Sequence, residues 1–261
     1  MEPLTHSLDR TVFIQAKPET VFRYFTDNAR WARWWGAGSE IDARPGGPMK
    51  IRFPNGIEVS GQVLDVEQPR RIVFTYGYAS GNPIPPGGSR VTIQLEPHGR
   101  GTQLQLTHEF ADAAMRDHHV QGWRYQLSLF SNAVTDEVNA EAPHTVDAWF
   151  AAWSIEDADA RSAALARVTT EDIRFHDRYS AIDGREELSA HIGAAQRFMP
   201  KMRMERRGEV RHCQGIVLAD WVAVAPDGQE RGSGSNVFVL GPDGLAESVT
   251  GFWNAAAART A

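Results

Sequence analysis

One long apolar stripe limits what this chain can become. Between Asp117 and Asn139, the residues Val120, Trp123, Leu127, Phe130, Val134 and Val138 recur three or four positions apart, the spacing that lines one face of an α-helix. A helix with such a stripe must bury it. The chain before it supplies the partner, because Arg10–Ile14, Met49–Phe53, Ile57–Val66, Arg71–Tyr76, Ser89–Leu95 and Thr102–His108 read as strands. Turn signals such as Pro45-Gly46-Gly47-Pro48 and Pro54-Asn55-Gly56 separate them, the pattern of an antiparallel meander. Ile72, Phe74 and Tyr76 alternate with Val73 and Thr75, and Val91, Ile93 and Leu95 with Thr92 and Gln94. The sheet therefore has one dry face, which the long helix covers. A shorter helix opens at Pro18, and Trp31, Trp34 and Trp35 crowd together before Gly36.

Glu141-Ala142-Pro143-His144 interrupts the stripe, and the order of elements then reverses. Helical patterns come first, around Val146, Trp149, Phe150 and Trp153, then over Ala158–Val168 and Gly184–Gln196, with a short strand at Ile173–Asp177 between the last two. Strands Met202–His212, Gly215–Val224, Ser233–Leu240 and Leu245–Trp253 follow. A length of 261 residues suits two domains of ordinary size. The reading is α+β, with domains 1–142 and 143–261 that are not a tandem repeat. Residues 255–261, mostly alanine, read as a frayed tail.

Net charge is −6, with 14 basic against 15 acidic residues over positions 1–140 and 13 against 18 beyond. Neither half carries the cationic surface that displaces counterions from phosphates, so nucleic acid is not an expected partner. No segment approaches the ~18 uninterrupted apolar residues of a membrane span, and the start lacks a cationic stretch followed by an apolar run. A cytoplasmic protein is expected. Cys213 is the sole cysteine, which excludes an internal disulfide framework and a thiol cluster for zinc; it is expected as a small buried strand residue. His118 and His119 are neighbours and cannot share a helical face as a metal pair would. No metal or cofactor is expected.

Pro18-Glu19-Thr20-Val21-Phe22, Trp31 with Trp34-Trp35-Gly36, Arg44-Pro45-Gly46-Gly47, Gly61-Gln62-Val63 leading to Pro69-Arg70-Arg71-Ile72, Leu106-Thr107-His108 and Gly122-Trp123 resemble the START-like (SRPBCC) superfamily. Within it they are most similar to the branch named after the activator of the heat-shock-protein-90 ATPase. The resemblance covers almost all of residues 8–139 and implies a helix-grip fold around a core or an apolar pocket. Trp149-Phe150-Ala151-Ala152-Trp153, Thr170-Glu171-Asp172-Ile173-Arg174-Phe175-His176-Asp177, Gly184-Arg185-Glu186-Glu187-Leu188 and Asp243-Gly244-Leu245 with Gly251-Phe252 resemble the SnoaL-like branch of the nuclear-transport-factor-2-like fold. That implies a cone-shaped α+β barrel of helices closed by a sheet.

In the first domain, Trp34, Phe53, Phe74, Tyr76, Phe110 and Trp123 are the expected walls of a pocket, or else core. His108 shares parity with Leu104 and Leu106 and points inward, where a neutral imidazole orients a ligand's polar end or serves structure. In the second, the resemblance implies that Asp177, at the end of the short strand, moves a proton on carbon; the alternatives are a buried structural Asp or one that binds a ligand's donor. Its parity agrees, since Ile173, Phe175 and Asp177 share one face, and an apolar surrounding makes a carboxylate a stronger base. Trp149 or Trp153 on the helix and Asn236 on a strand stand where the family places oxyanion donors. Trp149, Phe175, His191 and Trp221 complete the expected ligand-facing set.

The leading expectation is a protein that binds a small apolar or aromatic molecule, with cyclase- or isomerase-like proton transfer at Asp177. The alternatives are a non-enzymatic interaction or chaperone-partner module, and a second domain used for homodimerisation.

Overall fold

The structure is a computed structural model that describes residues 3–254. The frayed tail expected at 255–261 lies outside the described residues. The chain divides into two compact units, Met1–Thr135 and Asp136–Ala261, each with its own sheet.

In the first unit, β1 (His6–Ile14) precedes α1 (Pro18–Arg23) and α2 (Asn28–Trp35). Strands β2 (Glu40–Ile41), β3 (Pro48–Arg52), β4 (Glu58–Glu67), β5 (Arg71–Tyr78), β6 (Ser89–His98) and β7 (Gly101–Phe110) then lead to α3 (Ala113–Val138). All pairings are antiparallel, in the order β1-β7-β6-β5-β4-β3-β2. This is the helix-grip arrangement. Val63, Phe74, Val91, His108 and Leu8 face one another across five strands and are all buried. Against that inner face α3 sets His119, Trp123, Gln126, Leu127, Phe130 and Val134.

Helix α2 explains the tryptophan cluster. Asp27 caps it, accepting from the Arg30 backbone N–H at 2.9 Å, and Gly36 ends it at φ 125°. Over eight residues, positions 31, 34 and 35 fall on one face, so all three indoles are buried. Trp34 packs edge-on against Phe25 and Phe130 at 5.8 and 4.8 Å, and Trp31 against Phe74 at 5.9 Å. These rings form the core. A glycine at 36 is required twice over, because a Cβ there would lie 2.5 Å from the Arg52 carbonyl oxygen.

In the second unit come α4 (Ala142–Ala152), α5 (Ala158–Ala166), β8 (Thr169–His176), β9 (Ala181–Asp183) and α6 (Arg185–Phe198). Strands β10 (Arg203–Cys213), β11 (Ile216–Val224), β12 (Glu230–Leu240) and β13 (Ala246–Trp253) follow. The order is β10-β11-β12-β13-β8-β9, with β13 and β8 parallel. The sheet does not close on itself. The core gathers Val146, Trp149, Phe150, Ile173, Phe175, Leu188, Ile192 and Phe238 from helices and sheet alike. Arg161 is buried and ties α5 to α6, donating from Nε to the Ser189 carbonyl at 2.9 Å and from Nη1 to the Ile155 carbonyl at 2.8 Å.

Cys213 corrects an expectation. It ends the edge strand β10 and is exposed, because an edge residue on the solvent side has no second layer to cover it. Among the described residues, no helix is long and apolar enough to cross a membrane, and no three His, Cys, Asp or Glu side chains converge to hold a metal ion.

Candidate functional site

The first unit contains a cavity of about 200 Å³ between the end of β5 and the first half of α3. Of the expected wall residues, Phe53, Tyr76 and Trp123 line it, joined by Trp35, Tyr78, His119 and Gln126, with the exposed His118 and Tyr125 at its rim. Of these, Tyr78, His119 and Gln126 follow from periodicity extended by one step. Tyr78 shares the parity of Tyr76, and His119, Trp123 and Gln126 recur at helical spacing. Gly122 also lines the cavity, and a Cβ built there meets no atom within 4 Å. Trp34 and Phe74 lie in the core behind this wall. Phe110 lines a second hollow of about 390 Å³ with Pro83, Ile84, Pro85, Pro86 and Met115. Its ring is 5.0 Å from that of His119, so these two side chains sit between the hollows.

His108 lies beneath the cavity rather than on its wall, and the structure engages both its ring nitrogens. Trp123 Nε1 donates to His108 Nδ1 at 2.9 Å. An indole N–H can only donate, so Nδ1 is the bare nitrogen and Nε2 carries the proton. Nε2 donates to Ser89 Oγ at 2.8 Å, and that hydroxyl donates to the Tyr76 carbonyl at 2.8 Å. The ring is neutral because burial, then the neighbouring His119, hold its pKa well below the ordinary histidine value. His119 repeats the pattern. Nδ1 donates to the Met115 carbonyl at 2.7 Å, so Nε2 accepts from the Tyr78 hydroxyl at 3.3 Å. Burial lowers its pKa as well, against the opposing pull of the Met115 carbonyl. Burial and then Tyr78 raise the Tyr76 phenol well above its usual range. No Lys, Arg, Asp or Glu lines the cavity.

In the second unit, Asn236 faces Gly251 across the β12–β13 pair, and Thr250 faces His176 across the next. Asp177, one residue on, therefore stands on the other side of Gly251. A Cβ at Gly251 would lie 3.3 Å from Asn236 Oδ1 and 3.3 Å from Asp177 Cβ. Asp177 is half-buried, with Oδ1 accepting from the Tyr179 backbone N–H at 2.8 Å and Ser180 Oγ at 3.1 Å. Its Oδ2 accepts from Trp253 Nε1 at 3.1 Å. Ser180 Oγ also meets His191 Nε2 at 3.2 Å, which links Asp177 to His191. Asn236 Oδ1 accepts from Trp221 Nε1 at 2.9 Å, leaving its amide N–H groups as donors.

The remaining expected residues form one aromatic cluster. Phe175 lies 5.8 Å from Trp149, 5.6 Å from Trp153 and 6.2 Å from His191. The indole N–H groups of Trp149 and Trp153 are buried, and among the described residues neither finds an acceptor. A cavity of about 60 Å³ opens beside Trp153, Met199, Met202, Met204 and Trp253. It is too small for a ring compound, so the cup expected here is largely filled by its own side chains.

Residues 15–135 match the model of the family described as activator of Hsp90 ATPase homolog 1-like protein. No curated protein matches the chain. Among solved structures, a SnoaL-like family protein from Agrobacterium tumefaciens is 24% identical, covering 46% of this chain and 99% of that one with a TM-score of 0.42. CalU16 from Micromonospora echinospora is 27% identical over 50% of this chain and 77% of that one, with a TM-score of 0.42. The Aha1 dimer from Colwellia psychrerythraea is 20% identical over 47% and 91%, with a TM-score of 0.42.

Proposed function

Taking the first unit as a START-like domain and the second as a SnoaL-like one, we propose that the first unit binds a single small, uncharged, apolar molecule. The cavity of about 200 Å³ walled by Trp35, Phe53, Tyr76 and Trp123 carries this reading. An ion would lose its hydration there and meet no opposite charge. A ring compound instead replaces water on apolar surface. Burying roughly 200 Å² at ~25 cal/mol per Å² is worth about 5 kcal/mol, so dissociation constants of order 0.1 mM are expected for unelaborated rings.

Gly122 provides the test, because a side chain added there meets open space rather than protein. Gly122→Leu fills the cavity mouth. Equilibrium dialysis against naphthalene should show binding to the wild type and loss in this variant, with circular dichroism unchanged. Equal binding by both would place the ligand elsewhere. Native mass spectrometry of protein purified from its own host then identifies what the cavity carries.

For the second unit we infer cyclase- or isomerase-like proton transfer at Asp177. The supporting observation is the hydrogen-bonded chain from Asp177 through Ser180 to His191, beside the unpartnered indole of Trp153. Asp177→Asn keeps the turn that the side chain makes with Tyr179 and Ser180, and should abolish exchange of α-hydrogens on a small acyclic ketone such as acetone. Exchange at the wild-type rate in that variant sinks the role.

A further inference from the structure

Among the cavity-lining residues of the first unit, Gln126 stands out as polar, uncharged and 5% exposed. Its amide nitrogen donates to the Trp34 carbonyl. A carbonyl can only accept, so the nitrogen and oxygen of this amide are not interchangeable. The oxygen is the end left over, and among the described residues no donor reaches it.

The exposed His118 ring and Tyr125 hydroxyl stand at the rim of the cavity, and the buried donors around it are already committed. Trp123 gives its N–H to His108, and His119 gives its own to Met115. The Tyr78 hydroxyl donates to His119, and Tyr76 is hydrogen-bonded to Tyr78. The Trp35 indole N–H has no acceptor, but it is sealed inside the wall with no surface open to the hollow. Inside its rim the cavity therefore presents acceptors and asks for a donor. Its volume of about 200 Å³ falls below the ~300 to 1,000 Å³ of pockets for drug-sized ligands, which limits the occupant to one or two fused rings.

We propose that Gln126 anchors the ligand of this cavity through its amide oxygen, and that the ligand is an uncharged ring compound bearing a hydroxyl group. This rests on the cavity being a ligand site, and deepens that reading from size and polarity to a named chemical class. A phenol or ring alcohol places its O–H on Gln126 and its rings between Phe53, Tyr76 and Trp123. An ether of the same shape cannot, and a carboxylate meets no Lys or Arg.

Four probes of one ring system separate the possibilities when dialysed against the full chain: naphthalene, methoxynaphthalene, naphthol and naphthoate. Naphthol should bind about three- to tenfold more tightly than methoxynaphthalene, the worth of one neutral hydrogen bond, and naphthoate should not bind. In Gln126→Met the naphthol preference should vanish while naphthalene binding stays. Equal affinity for naphthol and methoxynaphthalene in the wild type, or a preference that survives in Gln126→Met, overturns the anchor and leaves the cavity reading intact. Failure of every neutral probe overturns both. Because Gln126 also bonds Trp34, the variant is paired with a measurement on unmodified protein: the side-chain carbonyl carbon resonance of labelled Gln126 should move on adding naphthol and stay still with methoxynaphthalene. The same shift with both ligands would likewise overturn the anchor.

Discussion

His108 shows what a single residue's surroundings decide. Strand parity shared with Leu104 and Leu106 was enough to place it inward, and the structure buries it fully. Its partners were not legible, because Trp123 comes from α3 and Ser89 from another strand, and periodicity reports a face but not who stands opposite. Both buried histidines have pKa values lowered by burial, so the unfolded chain binds protons that the folded one refuses. Stability from this source is complete above the unfolded value of about 6.5, and is lost as pH falls from there toward the lowered folded values. Urea denaturation from about pH 8 to about pH 5 should show it as a falling midpoint. His108→Phe should flatten that fall while costing about 2 kcal/mol near neutrality, because the Trp123 indole N–H loses its acceptor. An unchanged pH slope in the variant would assign the effect to other groups.

At the scale of elements, the meander, the long helix and the helices-then-sheet order of the second half were legible, since each rests on a period repeated over many residues. Helix α2 was not. Eight residues give barely two turns, and an all-tryptophan stripe reads as a cluster before it reads as a face. The signals were nonetheless present in Asp27, the 31, 34, 35 spacing and Gly36. This helix carries Trp34 into the core and Trp35 to the cavity, so its start matters to both. Asp27→Ala should lower the first unit's stability by about 1 kcal/mol, the usual value of a lost N-cap. Chemical denaturation followed by tryptophan emission measures it. The three-residue β9 was likewise too short to announce itself.

Across the whole molecule, core and cavity wall use the same alphabet of inward-facing aromatic residues, which is why the sequence marked both units as cups without showing which is hollow. Filling is decided by volumes contributed from several elements. Phe53, Tyr76 and Trp123 leave space between them, whereas Trp149, Trp153 and Phe175 close upon one another. Two separate cores predict two unfolding transitions by scanning calorimetry. Trp149→Ala should lower one of them by about 3 to 5 kcal/mol through the void it leaves, and naphthalene should raise the other. The exposed Cys213 adds a chemical consequence at this scale. With one thiol in this sequence, and that thiol at a strand edge of the second unit, a disulfide can never staple the chain to itself; between copies of the chain it can only couple two. A maleimide dye, for the same reason, attaches at a single known address and reports on the second unit without any prior engineering.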